Sequence, residues 1–114
     1  MIICLIVISA CSFDSGSTIV KTIKYEVTGT VPLVDISYHN FTETTDDLKN
    51  VSLPWEKTFS VAIEHHNSFF AHLWARSYGT SGTVTASIYV DDVVVKTATG
   101  SSSASSLSYF VRNY

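Results

Sequence analysis

The feature that most constrains the fold of this chain is a period of two in its apolar residues, which recurs from Ile19 almost to the C-terminus. In one segment Ile23, Tyr25 and Val27 alternate with polar residues, and Gly29 ends the run. Successive side chains of a β-strand point to opposite faces, so this period buries one face and leaves the other in water. Val, Ile, Thr, Tyr and Phe dominate these segments, as is typical of strands. The chain is therefore predicted to consist of strands.

The same period predicts about seven short strands, with turns at roughly ten-residue spacing. Asp91-Asp92 is typical of a tight turn, whereas residues 40–52 and the Ser-rich residues 100–106 lack the period and are expected to be loops. Residues 69–78 fit a strand or a helix, and the strand is preferred because a hairpin-like turn follows. We expect residues 19–114 to form an all-β, immunoglobulin-like antiparallel β-sandwich.

Three aromatic residues are expected to mark the core and its border. Trp55, which follows Pro54 at the start of a strand, is expected to be a large core side chain. Tyr25 and Tyr38 are expected to be half-buried at the edges of the core, with their hydroxyls in water. Lys57 interrupts the apolar face of the strand that contains Trp55, so that strand is expected to start after the lysine or to have a bulge there.

The first eleven residues, MIICLIVISAC, form a short apolar run that ends in Ile8-Ser9-Ala10-Cys11. This ending resembles the lipobox of bacterial lipoproteins, in which a peptidase cuts before the cysteine and the thiol carries a diacylglycerol. A membrane-spanning helix needs about 20 apolar residues, so the run is interpreted as a signal peptide. We therefore predict removal of residues 1–10, lipidation of Cys11 and a flexible tether over residues 11–18. The alternative is a piece of a buried strand that contains a cysteine by chance.

The predicted processing also limits the partners of the mature domain. With Cys4 removed and Cys11 acylated, no disulfide is possible, and an exported domain must then rely on its core alone. The net charge is −3, which argues against a nucleic-acid partner, so contact with the membrane is expected through the lipid anchor. Ser12 follows the cysteine, and by resemblance to lipoprotein sorting this favours the outer membrane of a two-membrane bacterium. The domain is expected to be a monomer.

Four short motifs occur in a fixed order along the chain. They are YEVTG at residues 25–29, VDISYHN at 34–40, LPWEK at 53–57 and SIYVDD at 87–92. This ordered set resembles the MmpS-like domain, a small immunoglobulin-like β-sandwich that is anchored to a membrane and faces the cell envelope. Mycobacterial members of that family are accessory proteins of MmpL lipid and siderophore exporters. The resemblance therefore implies an envelope module with a protein partner, such as a transport complex.

The predicted strand within residues 69–78 is apolar on both faces. A strand of a sandwich is expected to be apolar on one face only. If Phe69 and Leu73 face the core, the opposite face carries Phe70, His72, Trp74, Arg76 and Tyr78. Either the long polar segment or the Ser-rich segment covers these rings, or they form an exposed aromatic strip for a protein partner or a glycan. Phe70, Trp74 and Tyr78 are therefore the candidate contact residues.

Nothing in the sequence predicts an enzyme, a metal site or a cofactor. The chain has no nucleophile elbow and no Gly-rich phosphate loop. A metal site could combine Glu64 or Asp35 with four histidines, His39, His65, His66 and His72. Neighbours on a strand point to opposite faces, however, so His65 and His66 are not expected to share an ion. Two classes of function stay open. One is a protein-interaction or transport-accessory module, and the other is a carbohydrate- or lipid-binding module that uses the aromatic strip.

Overall fold

The computed structural model describes residues 17–77, 82–101 and 103–113, which form eight β-strands. The strands are β1 (Ile19–Gly29), β2 (Leu33–His39), β3 (Thr45–Ser52), β4 (Trp55–Ile63), β5 (Ser68–Arg76), β6 (Thr83–Val90), β7 (Val93–Ser101) and β8 (Ser103–Arg112). None of the described residues is helical, and these residues contain no helix that could cross a membrane. The predicted all-β fold is confirmed, with one strand more than the period of two suggested.

The strands form two four-stranded sheets that pack face to face. The first sheet has the order β4-β1-β6-β7 and the second has the order β3-β2-β5-β8, and all neighbouring strands are antiparallel. The core lies between the sheets and is filled by alternate residues of the inner strands. Its largest fully buried side chains are Tyr25, Ile23, Ile36, Leu73, Ile88, Val27, Val34 and Val84. The predicted antiparallel β-sandwich is therefore confirmed.

Residues 40–52 are not one loop, because they include strand β3, which pairs with β2. Strand β3 is an edge strand with polar residues such as Asp46, Asp47 and Lys49. Most of its side chains are exposed or only partly buried, so it has no apolar period. Backbone pairing with β2 rather than burial of a face defines this strand, which is why the pattern did not predict it.

The described residues of the Ser-rich segment, 100–101 and 103–106, lie in strands and not in a loop. Strand β7 continues to Ser101, and β8 starts at Ser103, which pairs with Arg76 of β5. Both are edge strands, one in each sheet. Small polar residues are compatible with such positions, since one side of an edge strand has no neighbour in its own sheet.

Two predicted ends of strands are confirmed. Strand β1 ends at Gly29, whose φ of +153° is unfavourable for a side chain, and a Cβ atom there would lie 2.1 Å from the backbone oxygen of Thr83. Asp91 and Asp92 connect β6 to β7 with φ angles of 50° and 66°. Positive φ at both central residues is typical of the hairpin turn that matches the twist of the strands.

One rung of the first sheet has a lysine at each end. Lys57 of β4 pairs with Tyr25, Tyr25 pairs with Ile88, and Ile88 pairs with Lys96 of β7. Tyr25 and Ile88 are fully buried, and residues on one rung share a face, so both lysines lie on the core side at the sheet edges. Lysine in this position opposes pairing with another sheet. The bulge expected at Lys57 is absent, because the register between β1 and β4 is continuous.

Tyr25 and Tyr38 were expected to be half-buried, which is wrong because both are buried. Trp55 is less buried than expected. Tyr25 is fully buried and Tyr38 is nearly so. The Tyr25 hydroxyl donates a hydrogen bond to the backbone oxygen of His39 at 2.7 Å and accepts one from the backbone N–H of His72 at 3.3 Å. Burial raises the pKa of Tyr25, so this hydroxyl stays a donor. Trp55 is only half-buried, at the border of the core, with its ring centroid 5.6 Å from that of Tyr38.

Candidate interaction surface

Strand β5 separates two sets of side chains, as the period of two predicted. Phe69, Leu73 and the two alanines of the strand are buried in the core, whereas Phe70 and Trp74 are partly exposed on the opposite face. Tyr78, the third predicted contact residue, and Cys11, the predicted lipidation site, lie outside the described residues. The strand is confirmed in preference to the helix, and the contact role of these residues stays a prediction.

Neighbouring strands add aromatic side chains to this face. Phe110 of β8 pairs with Phe70, and their ring centroids are 5.0 Å apart. The Phe70 ring also lies 5.8 Å from His72, nearly parallel to it, and 5.7 Å from His39 of β2. We call the set Phe70, His72, Trp74, His39 and Phe110 the aromatic face. Its rings come from three adjacent strands of the second sheet.

Phe110 and His39 were not predicted from the sequence as members of this face. The period of two around Leu107 and Val111 would have placed Phe110 on the outer side of its strand. Which strands lie beside β5 is set by the sheet order, and no local pattern contains that information. The sequence therefore indicates only part of the aromatic face.

Polar and charged groups surround the aromatic face. Ser37 pairs with Trp74 across the strands, and its hydroxyl donates a hydrogen bond to Asp47 of β3. At the opposite border, the Arg112 guanidinium lies 5.4 Å from the centroid of the Phe110 ring. An apolar centre with a polar rim is the usual composition of a protein–protein interface.

The surroundings of His72 favour its neutral form. Burial, and in second place the neighbouring imidazole of His39, lowers the pKa of His72 below its usual 6.5. A neutral His72 ring meets a partner without the cost of desolvating a charge. Protonation of His72 on acidification would place a charge on the aromatic face.

The long polar segment, residues 40–52, and the Ser-rich segment, residues 100–106, were considered as loops that could cover the aromatic rings. Residues 45–52 form β3 beside β2, and residues 103–106 belong to β8 beside β5, so these parts of the two segments lie in the plane of the second sheet. Residues 100–101 belong to β7 of the first sheet. Phe110 is 50% exposed. Since β3 and β8 extend the second sheet, the face is broader than a single strand.

The histidine pair lies in a different setting from the one expected. His65 and His66 are in the turn between β4 and β5, not on a strand, and their ring centroids are 3.8 Å apart. The argument that they point to opposite faces is therefore wrong. Among the described residues, no three His, Cys, Asp or Glu side chains are grouped so that they could hold a metal ion.

Comparison with known proteins identifies similarity along nearly the whole chain. A family model described as Mycobacterium membrane protein matches residues 5–113. No curated protein matches the chain. The matched range contains the aromatic face and every described strand.

Proposed function

The chain belongs to the Mycobacterium membrane protein family, also called the MmpS family, and from this premise we propose that it is a non-catalytic, lipid-anchored interaction module of the cell envelope. The family is membrane-associated. The lipobox-like residues that end in Cys11 supply a candidate for the anchor, and Ser12 favours sorting to the outer membrane of a two-membrane bacterium. The sandwich would then be held at the membrane surface as a docking domain.

The observation that carries the proposed interaction is the pair formed by Phe70 and Phe110. The two rings are 5.0 Å apart on the outer side of the second sheet, and Phe110 is half exposed. Aromatic residues at the centre of an interface contribute much of the binding free energy when a partner excludes water from them. A protein partner from the envelope, such as a component of a transport complex, would cover this pair and contact the polar rim.

Photo-cross-linking in cells tests this function. A benzophenone amino acid in place of Phe110 or Trp74 should give a discrete cross-linked product, whose partner is then identified by mass spectrometry. The control is the same substitution at Tyr89, a half-buried ring on the outer side of the first sheet that hydrogen bonds to Glu26. Equal cross-linking from both sheets, or none from Phe110 and Trp74, would contradict the proposal.

A glycan is the second candidate ligand, and one observation favours it. Partly exposed rings lie beside hydrogen-bonding groups, since Trp74 neighbours Ser37, which contacts Asp47. Sugar rings stack on aromatic side chains and hydrogen bond to such groups. Titration with maltohexaose and with soluble peptidoglycan fragments, followed by amide chemical shifts, separates the two candidates. Shifts confined to the aromatic face would favour the carbohydrate-binding function, and titration with lipid micelles extends the comparison to lipids.

A further inference from the structure

Exposed apolar side chains are unevenly distributed over the described part of the chain. Six large hydrophobic residues are exposed there. They are Val20, Leu33, Phe41, Val93, Val94 and Phe110. All except Leu33 lie at one end of the sandwich, the end at which the described chain begins. Isolated exposed apolar residues are ordinary, but such a concentration at one end requires a reason.

Asn113 holds the beginning of the described chain at this end. Its side-chain amide donates hydrogen bonds to the backbone oxygens of Ser17, at 2.8 Å, and Ile63, at 2.9 Å. Its backbone also pairs with the turn between β4 and β5, at His66 and Asn67. We call this end of the sandwich, defined by these five residues, the Ser17 end.

Hydrogen bonds place the turn between β6 and β7 at the Ser17 end. The backbone N–H of Asp91 donates to the backbone oxygen of Thr22, near the start of β1, at 2.9 Å. The Asp91 carboxylate lies 3.2 Å from the Lys21 ammonium. Val93 and Val94, the first two residues of β7, therefore lie beside the start of β1, which contains Val20.

The other exposed rings are at the same end. Phe41 follows β2 and is 63% exposed, and it lines an open groove of about 540 Å³ together with Ile63 and His66. Phe110 is near the end of β8, three residues before Asn113. Leu33 starts β2, so it lies at the opposite end of the sandwich from Phe41.

We propose that the Ser17 end rests on the bilayer that holds the N-terminal anchor, with Val20, Phe41, Val93 and Val94 in the membrane interface, while Phe110 stays in the aromatic face. The inference rests on the proposed lipid anchor at Cys11. Five residues lie between Cys11 and Ser17. The six Cα–Cα steps from Cys11 to Ser17 span only about 20 Å even when fully extended. The Ser17 end is therefore the part of the domain nearest to the membrane, and it is the end where the apolar residues are concentrated.

The charges at this end indicate what kind of contact it makes. Lys21 is paired with Asp91, and Glu43, Glu64 and Asp92 add further carboxylates. Arg112 lies over the ring of Phe110, and Lys96 lines a groove together with these two residues. Since carboxylates outnumber cations, insertion of apolar side chains, and not attraction to anionic lipids, holds this end to the bilayer.

The test uses the full chain in nanodiscs that contain a gadolinium-chelate lipid. Paramagnetic relaxation of the amides at Phe41 and Val94 should exceed that at Leu33 several-fold. Phe41→Glu together with Val94→Glu should lower the enhancement at the Ser17 end towards that at Leu33, because carboxylates oppose insertion, and Leu33→Glu is the matched control. Circular dichroism verifies that each variant is folded. The pattern should persist in high salt and should not strengthen with anionic lipid.

Several results would overturn the inference. Equal relaxation at both ends, or relaxation at the Ser17 end that the Phe41→Glu and Val94→Glu changes do not reduce, would mean that only the tether holds the domain near the bilayer. A chain that washes off the nanodisc contradicts this inference and the anchor together. The mass of the retained chain is a separate readout, since absence of an acyl group with the relaxation pattern intact contradicts the anchor alone.

Discussion

The hydroxyl of Tyr25 donates a 2.7 Å hydrogen bond to the backbone oxygen of His39 on the other side of the core. Tyr25 belongs to β1 of the first sheet and His39 to β2 of the second. The same hydroxyl accepts from the backbone N–H of His72, so one side chain joins three strands. The bond to His39 also holds the backbone of a residue whose ring lies in the aromatic face.

Replacing Tyr25 by Phe should lower the free energy of unfolding by about 1–3 kcal/mol, because a buried carbonyl and an N–H lose their partner. Urea unfolding of the domain measures the change. Tyr89→Phe is the matched control, since the Tyr89 hydroxyl bonds to Glu26 on the outer side of the first sheet and its loss should cost about 0.5 kcal/mol or less. Equal effects of the two changes would mean that the Tyr25 hydrogen bonds do not stabilise the sandwich.

The two lysines at the ends of the Tyr25 rung should keep the first sheet from associating. Lys57→Val and Lys96→Val remove the charge from the core side of edge strands β4 and β7. We expect the double variant to form dimers or larger species at concentrations where the parent chain is a monomer. Analytical ultracentrifugation measures this, with Lys24→Val on the inner strand β1 as the control for lost charge. An unchanged sedimentation coefficient would show that the lysines do not protect the edges.

How much of the fold the sequence predicts depends on where a strand lies. Strand β5 is central, buries one face and follows the period of two closely, so its two faces were predicted correctly. Strand β3 is an edge strand whose side chains are mostly exposed, so it has no apolar period by which the sequence could identify it. The depth of Tyr25 and the approach of His39 to Phe70 both depend on pairing between distant segments, which local patterns do not encode.

The two tryptophans should respond differently to truncation. Trp55 packs against the core and against Tyr38, so Trp55→Ala should lower the free energy of unfolding by about 2–3 kcal/mol, less than for a fully buried ring. Trp74 lies on the outer face of β5, so Trp74→Ala should cost about 1 kcal/mol or less while it weakens partner binding. Urea unfolding gives both values. A loss of about 3 kcal/mol for Trp74→Ala would exclude it as a free contact residue.

The stability of the domain should decrease on acidification through His72. Its pKa in the folded state is lowered from 6.5, so as pH falls the unfolded chain binds this proton first. Stability therefore rises with pH across the window from the lowered pKa up to about 6.5, and it falls in the reverse direction. Unfolding curves at several pH values measure the slope, which His72→Gln should reduce. A slope that does not change in the variant would assign the dependence to other groups.

Metabolic labelling shows whether Cys11 carries a lipid. Cells that express the full chain receive a clickable fatty acid, and the purified protein is analysed for label and for attachment to the membrane fraction. We expect label on Cys11 and release of the Cys11→Ser variant into the soluble fraction, whereas Cys4→Ser should keep both label and membrane attachment. A native chain without label, or a Cys11→Ser variant that stays in the membrane fraction, would mean that Cys11 is not the anchor.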